Sequence, residues 1–239
     1  MLDSILAPMY QQWIVQALLV TLAISIVTIT ASSLLGLLLA FLRCLPVKAV
    51  SVSVLLMGSI FRDTPLLLQL LFWYIAGPEL FPSWLIDFLR TKHELSLFGI
   101  SLGWPSFEFI VGCFALTIYS AVFIAEDIRS GVLSVKKEQT EAGMALGMTS
   151  SQVLRVVILP QALRAAMPAI FGQYMNIVKN SSLTMAIAVN DISNIALKIN
   201  DETGKTFVAF GVATVIYVTI NVFINLLANR RERNRLQVA

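Results

Sequence analysis

The sequence predicts an all-α integral membrane protein with five spanning helices and a helix–turn–helix on the cytoplasmic side. Three observations carry this. Of its 239 residues, 57% are hydrophobic and only 13% are charged, whereas soluble domains carry about 25% charged residues. Uncharged stretches on the scale of a bilayer recur along the chain. Lysine and arginine are shared unequally between alternate connecting loops. A soluble globule of this size could not hide so much apolar surface. The composition excludes a disordered chain, a nucleic-acid-binding domain and most soluble enzymes.

The first stretch, residues 13–42, offers 30 uncharged positions, more than the about 20 a spanning helix needs. Asp3 is the one charge before it, and the start is neither basic nor short enough for a signal peptide, so the segment is expected to remain in the mature protein. The second stretch, 51–75, carries Arg62-Asp63-Thr64-Pro65 at its centre. The third, 109–125, lies between Glu108 and Glu126. The fourth, 165–189, is interrupted by Pro168 and by Lys179-Asn180-Ser181-Ser182. The fifth, 206–228, has no charge.

Five spans put the termini on opposite sides, and basic residues near span ends are retained in the cytoplasm. One set of loops holds eleven: Arg43, Lys48, Arg129, Lys136, Lys137, Arg155, Arg164, Arg230, Arg231, Arg233 and Arg235. The other holds four: Arg90, Lys92, Lys198 and Lys205. The N-terminus is therefore expected outside and the C-terminal tail in the cytoplasm. In the outer loop 77–105, Ser83 can cap a short helix whose Trp84, Leu85, Phe88 and Leu89 share one face. That face either lies on the lipid surface or packs on span ends. Cys44 and Cys113 match no metal or disulfide spacing and read as small buried hydrophobes. No internal repeat is visible, so one domain over 1–239 is the simplest reading.

The cytoplasmic loop 138–160 carries the densest local punctuation. Residues 138–146 form a plausible helix, and Gly147 suits its left-handed stop. Thr149 and Gln152 make a Thr-x-x-Gln capping box that starts a second helix. Pro160 limits how far that helix runs.

Here the residues resemble a known family. Glu141, Ala142, Gly147, Leu159 and Pro160 match the Glu-Ala-(Ala)-x3-Gly-x9-Ile-x-Leu-Pro signature of membrane subunits of ABC importers, with Gly143 replacing the second Ala and Val157 replacing Ile. Phe61-Arg62-Asp63-Thr64-Pro65-Leu66, Ile158-Leu159-Pro160-Gln161 and Val178-Lys179-Asn180-Ser181-Ser182-Leu183 resemble further blocks of the polar amino acid permeases. The resemblance covers essentially the whole chain. It implies the type I importer permease fold in a bacterial cytoplasmic (inner) membrane. It implies a second permease subunit, identical or paralogous, and an ATP-binding subunit pair docked through Glu141, Ala142, Gly147, Thr149, Gln152, Leu159 and Pro160. An extracytoplasmic amino acid binding protein would deliver the cargo. The only Gly-Lys-Thr, at Gly204-Lys205-Thr206, has Ile199 where a phosphate-cradling loop needs its first Gly. ATP and Mg are therefore expected on the partner ATPase, with no cofactor on this chain and no enzymatic activity of its own.

Ionisable and polar groups inside spans are candidates for the substrate pathway: Arg62, Asp63, Thr64, Glu126, Lys179, Asn180 and Ser182. The resemblance places Asp63, Glu126, Asn180 and Ser182 on the cavity wall. Equally, Arg62 pairing with Asp63 or Glu126 would merely knit helices together. Family members for cationic amino acids often carry Asp at the position of Asn180 and Gly at that of Asp63. The departures tilt the cargo toward an acidic or neutral polar amino acid, within reach of the glutamate/aspartate subgroup. Trp73 and Tyr119 are aromatic candidates for the pathway or for packing. Competing classes are an ABC permease for another small polar solute, an ion-coupled secondary transporter, which would want inverted repeats, and an intramembrane enzyme. For the last, His93 stands without a metal-ligand cluster.

Overall fold

In the computed structural model, residues 8–44, 47–91, 94–97 and 100–236 are described; Lys92 and His93 lie outside them. The elements in order are α1 (Pro8–Cys44), α2 (Lys48–Asp63), α3 (Leu66–Ile75), α4 (Gly77–Leu80), α5 (Ser83–Arg90), β1 (Glu94–Leu97), β2 (Ile100–Gly103), α6 (Phe107–Ser134), α7 (Lys137–Ala145) and α8 (Ser150–Gln152). A π-helical turn (Val153–Ile158) leads into α9 (Leu159–Ser181), a 3-10 turn (Ser182–Ile187), α10 (Ile192–Thr203) and α11 (Thr206–Leu236). Among the described residues, four helices are long and apolar enough to cross a membrane, and the pair α2 and α3, bent by 100° at its break, makes a fifth if counted as one span. The second stretch is thus broken at Thr64-Pro65, the step where proline is expected to interrupt the helix ladder. Pro65 has no N–H to continue the ladder, and it becomes the extended N-cap of α3.

Two expectations about proline fail. Pro160 does not stop the coupling helix, because the π turn ahead of it shifts the ladder: Leu159 N–H bonds the carbonyl of Leu154, five residues back. Pro168 lies inside α9 without ending it. Buried Ala166 and Ile170 on either side of Pro168 anchor the helix in a cluster with Ala40, Ile124, Ala125 and Ile128. The outer loop also departs from expectation. Pro82, not Ser83, is the N-cap of α5. The buried face of α5 is Ile86 with half-buried Leu85 and Leu89, while Trp84 and Phe88 are exposed. The antiparallel hairpin β1–β2 gave no recognisable strand signal in the sequence. Cys113 is buried as expected, and Cys44 is half-buried.

The chain divides into two compact units. One comprises the chain up to Thr30, Thr64–Thr117 and Ile177–Val222; the other comprises Ala31–Asp63, Ile118–Asn176 and the chain from Phe223. The chain therefore changes unit five times, once in each expected span. The first unit holds the hydrophobic cluster of Ala17, Ile192, Ile195, Ala196, Ile199, Ala209 and Ala213. The second is built on close helix approach. A Cβ on Gly131 would collide with the Ala162 carbonyl oxygen, the small-residue packing that membrane helices use in place of a hydrophobic driving force.

Candidate functional site: a capped helix–turn–helix and a carboxylate among arginines

Two sites lie within the second unit. At the first, α7 ends in a Schellman motif. Gly147 is left-handed at φ +81°; its N–H bonds the Met144 carbonyl at 2.9 Å, and Met148 N–H bonds that of Gly143 at 3.1 Å. These two bonds satisfy carbonyls that the helix end would otherwise strand. Two residues later the capping box closes: Gln152 N–H donates to Thr149 Oγ1 at 3.3 Å, and Thr149 N–H donates to Gln152 Oε1 at 2.8 Å. The local sequence thus encodes a rigid corner. Glu141, Ala142, Thr149 and Gln152 are exposed along it, and Leu146 presents 83% of its surface. The ion pairs found among the described residues gather on Glu126, and none joins Glu141 to Arg155 or Arg164. Leu159 and Pro160 open α9, Leu159 half-buried and Pro160 exposed.

The unexpected part of this corner is Gly143. A Cβ there would meet Val153 Cγ2 at 2.8 Å, so the departure from Ala in the signature lets α7 approach the π turn. Gly143→Ala is expected to cost about 1–3 kcal/mol, the scale of overpacking, and Val153→Ala in the same chain should recover most of it. Thermal unfolding of the purified single and double variants checks this.

At the second site, Glu126 accepts hydrogen bonds from Arg43 and from Arg129, the latter at 3.4 Å, and Arg62 lies 3.6 Å from its carboxylate. Arg62 also donates to Ser59 Oγ at 3.4 Å. Of the two alternatives open for Arg62, pairing with Glu126 is the one found; Asp63 is exposed and stands outside these pairs. Asp127 accepts from Gln173 Nε2 at 3.1 Å. Arg43 and Arg129 were missed as partners, although Arg43, as the one charge ending a long apolar run, was the available signal.

Of the remaining candidates, Thr64, Trp73, Lys179, Asn180 and Ser182 lie in the first unit and Tyr119 in the second. Thr64 Oγ1 accepts from Gln69 Nε2 at 2.7 Å. Ser182 donates to the Lys179 carbonyl at 2.6 Å, as the helix tightens from α to 3-10. Asn180 is half-buried and Lys179 exposed, and among the described residues neither makes a side-chain hydrogen bond or ion pair. Ala188 then takes a left-handed φ of 62°, a conformation disfavoured for a residue with a Cβ. Trp73 packs edge-on against Phe114, and Tyr119 packs against Phe123, so both are engaged in packing. The sequence reading also missed α10. Asp191 caps it, accepting from Asn194 N–H at 2.9 Å and from Tyr217 OH at 2.9 Å. Burial pushes the Asp191 carboxyl up to about 6, against these hydrogen bonds, which lower it. The signal was present: Asp191 before an apolar-periodic run that ends at Gly204.

Residues 5–235 match the family described as "Binding-protein-dependent transport system inner membrane component", and the chain belongs to that family. It is 30% identical to the glutamate/aspartate import permease protein GltJ of Escherichia coli (strain K12) over 225 residues, covering 94% of this chain and 87% of the relative. It is also 30% identical to the histidine/lysine/arginine/ornithine transport system permease protein HisM of Salmonella typhimurium over 220 residues, 91% of this chain and 88% of the relative. A crystal structure of an amino acid ABC transporter with histidines superposes with a TM-score of 0.77 at 28% identity, covering 94% of this chain and 95% of that one. The chain is a membrane-integral permease of an ABC importer, a class that works with ATP-binding and substrate-binding proteins.

Proposed function

We propose that this chain forms the translocation pathway of an ATP-driven importer for a polar amino acid, acidic or neutral in preference to basic. An extracytoplasmic binding protein delivers the cargo. Two permease subunits, identical or paralogous, pair with two ATP-binding subunits that hold ATP and Mg and carry out the hydrolysis. The observation that carries this reading is the rigid corner, whose exposed Leu146, Glu141 and Gln152 offer a groove on the ATPase a fixed shape to grip. A gradient-driven transporter has no use for such an element.

The relatives do not choose the cargo by identity, since permeases named for acidic and for basic amino acids are equally distant at 30%. The choice rests on Asn180, where one cation-attracting carboxylate is missing. Asn180→Ala is expected to reduce uptake about tenfold or more, the worth of about one lost buried hydrogen bond, with assembly intact. Ser182→Ala is expected to do less, because the Ser182 hydroxyl is spent on the Lys179 carbonyl. Uptake by assembled, reconstituted complexes measures both; wild-type rates for both would remove these residues from the pathway.

The proposed orientation is N-terminus outside and C-terminus in the cytoplasm of the inner membrane. It is supported by the basic asymmetry. A reporter after Val238 should act in the cytoplasm and one between Thr91 and Glu94 outside. Reporters acting in the same compartment would overturn the five-span topology.

A further inference from the structure

From the cavity beside Glu126 we infer a binding site for an anionic phospholipid. The cavity, about 230 Å³, lies within the second unit between α1, α2 and α6. Its walls are hydrocarbon (Leu35, Leu39, Val54, Phe61 and Val122 among them), and its only charged linings are Arg43 and Arg62. Three features fix the chemistry of an occupant. The local charge does not balance: among the described residues, Glu126 is the one carboxylate ion-paired with Arg43, Arg62 and Arg129, leaving two guanidiniums in surplus. Asp127, beside Glu126 in sequence, is engaged by Gln173, and Asp63 takes part in none of the ion pairs found among the described residues.

The Arg43 side chain is 9% exposed and its Nε finds no acceptor. A buried N–H left unmade costs more than a made bond gains, so the site favours a ligand that brings an acceptor. The hydrocarbon walls favour a ligand that also brings a chain. A free amino acid does not meet these terms. Its ammonium group would need a carboxylate, and the one at hand already faces three cations. An anionic amphiphile meets them all, its phosphate on Arg43 and Arg62 and its acyl chain along Leu39 and Val54. Basic pockets between membrane helices bind acidic headgroups on this principle, and guanidinium suits phosphate better than a point charge does. The inference is independent of the cargo.

The test is native mass spectrometry of the full chain, purified in mild detergent and titrated with phosphatidylglycerol, phosphatidylcholine or inorganic phosphate. The wild-type chain should retain phosphatidylglycerol about tenfold better than phosphatidylcholine, and inorganic phosphate should not displace it. Arg43→Gln and Arg62→Gln should each erode the preference, and Arg155→Gln, outside the cavity, should keep it. Val54→Phe leaves both guanidiniums in place and obstructs the chain's path. It should lower retention, and it decides the matter if an arginine variant aggregates. Glu126→Gln, which frees the cations, should raise retention. Equal retention of the two lipids by the wild-type chain, displacement by phosphate alone, or no effect of Val54→Phe would each overturn the site.

Discussion

Gly147→Val is expected to reach the membrane and yet bind its ATPase poorly, or let it hydrolyse ATP without uptake. Gly147 has no neighbour within 4 Å of where a Cβ would stand, so sterics outside the backbone do not enter. The whole effect comes from φ +81°, which a β-branched residue adopts at a cost on the order of 1–3 kcal/mol. Relief of that strain would undo the two Schellman bonds from Gly147 and Met148, and with them the angle at which α7 meets Thr149. The spanning helices owe nothing to this turn and should insert normally. Gly147→Asn is the control, since Asn tolerates the left-handed region far better, and it should keep most of the coupling. The measurements are co-purification with the ATPase and paired hydrolysis and uptake rates. If Gly147→Val couples as well as Gly147→Asn, the corner is only a connector.

The corner was legible because its chemistry is local. Gly147 as a stop and Thr149 with Gln152 as a cap depend on groups no more than five residues apart, and the structure forms those bonds. What involved distant partners was less legible. Glu126 and Arg43 are 83 residues apart, and the Tyr217 hydroxyl that meets Asp191 is 26 residues away; periodicity carries no information about such pairs. Gly143 lies between these cases: its departure from Ala was visible, but Val153 as the reason appears only once α7 folds back on the π turn. The prolines failed for another reason. Pro160 and Pro168 are breakers by propensity, and helix packing together with a shifted hydrogen-bond register overrides propensity here, as neighbouring helices allow in membranes.

Glu126→Gln is expected to be among the most destabilising single substitutions in the second unit. The carboxylate takes Arg43 and Arg62 on one oxygen and Arg129 on the other. Gln keeps one acceptor oxygen and no charge, so three guanidiniums would face each other uncompensated. Removing one partner of a fully buried pair costs about 3–5 kcal/mol. The Glu126 side chain is 37% exposed, so solvent screening reduces this to about 2 kcal/mol. For a chain of this length that is a fall in Tm of about 4–8 °C. Arg62→Gln supplies the contrast. Its guanidinium is 3.6 Å from the carboxylate and 29% exposed, and its loss leaves Glu126 two cations, so the cost should stay below about 1 kcal/mol. A second contrast isolates charge from shape: Glu126→Gln combined with Arg129→Gln removes one of the three repelling cations and should recover part of the loss, although each substitution alone removes a contact. Thermal unfolding of the four purified chains in one detergent, at low and at high salt, reads all of this. The wild-type to Glu126→Gln gap should change little with salt if the partly buried Arg43 pair dominates, and close with salt if the cluster behaves as surface. Equal stability of wild-type and Glu126→Gln would mean that the three arginines are satisfied by solvent, and Glu126 would no longer be the tie between α1, α2 and α6.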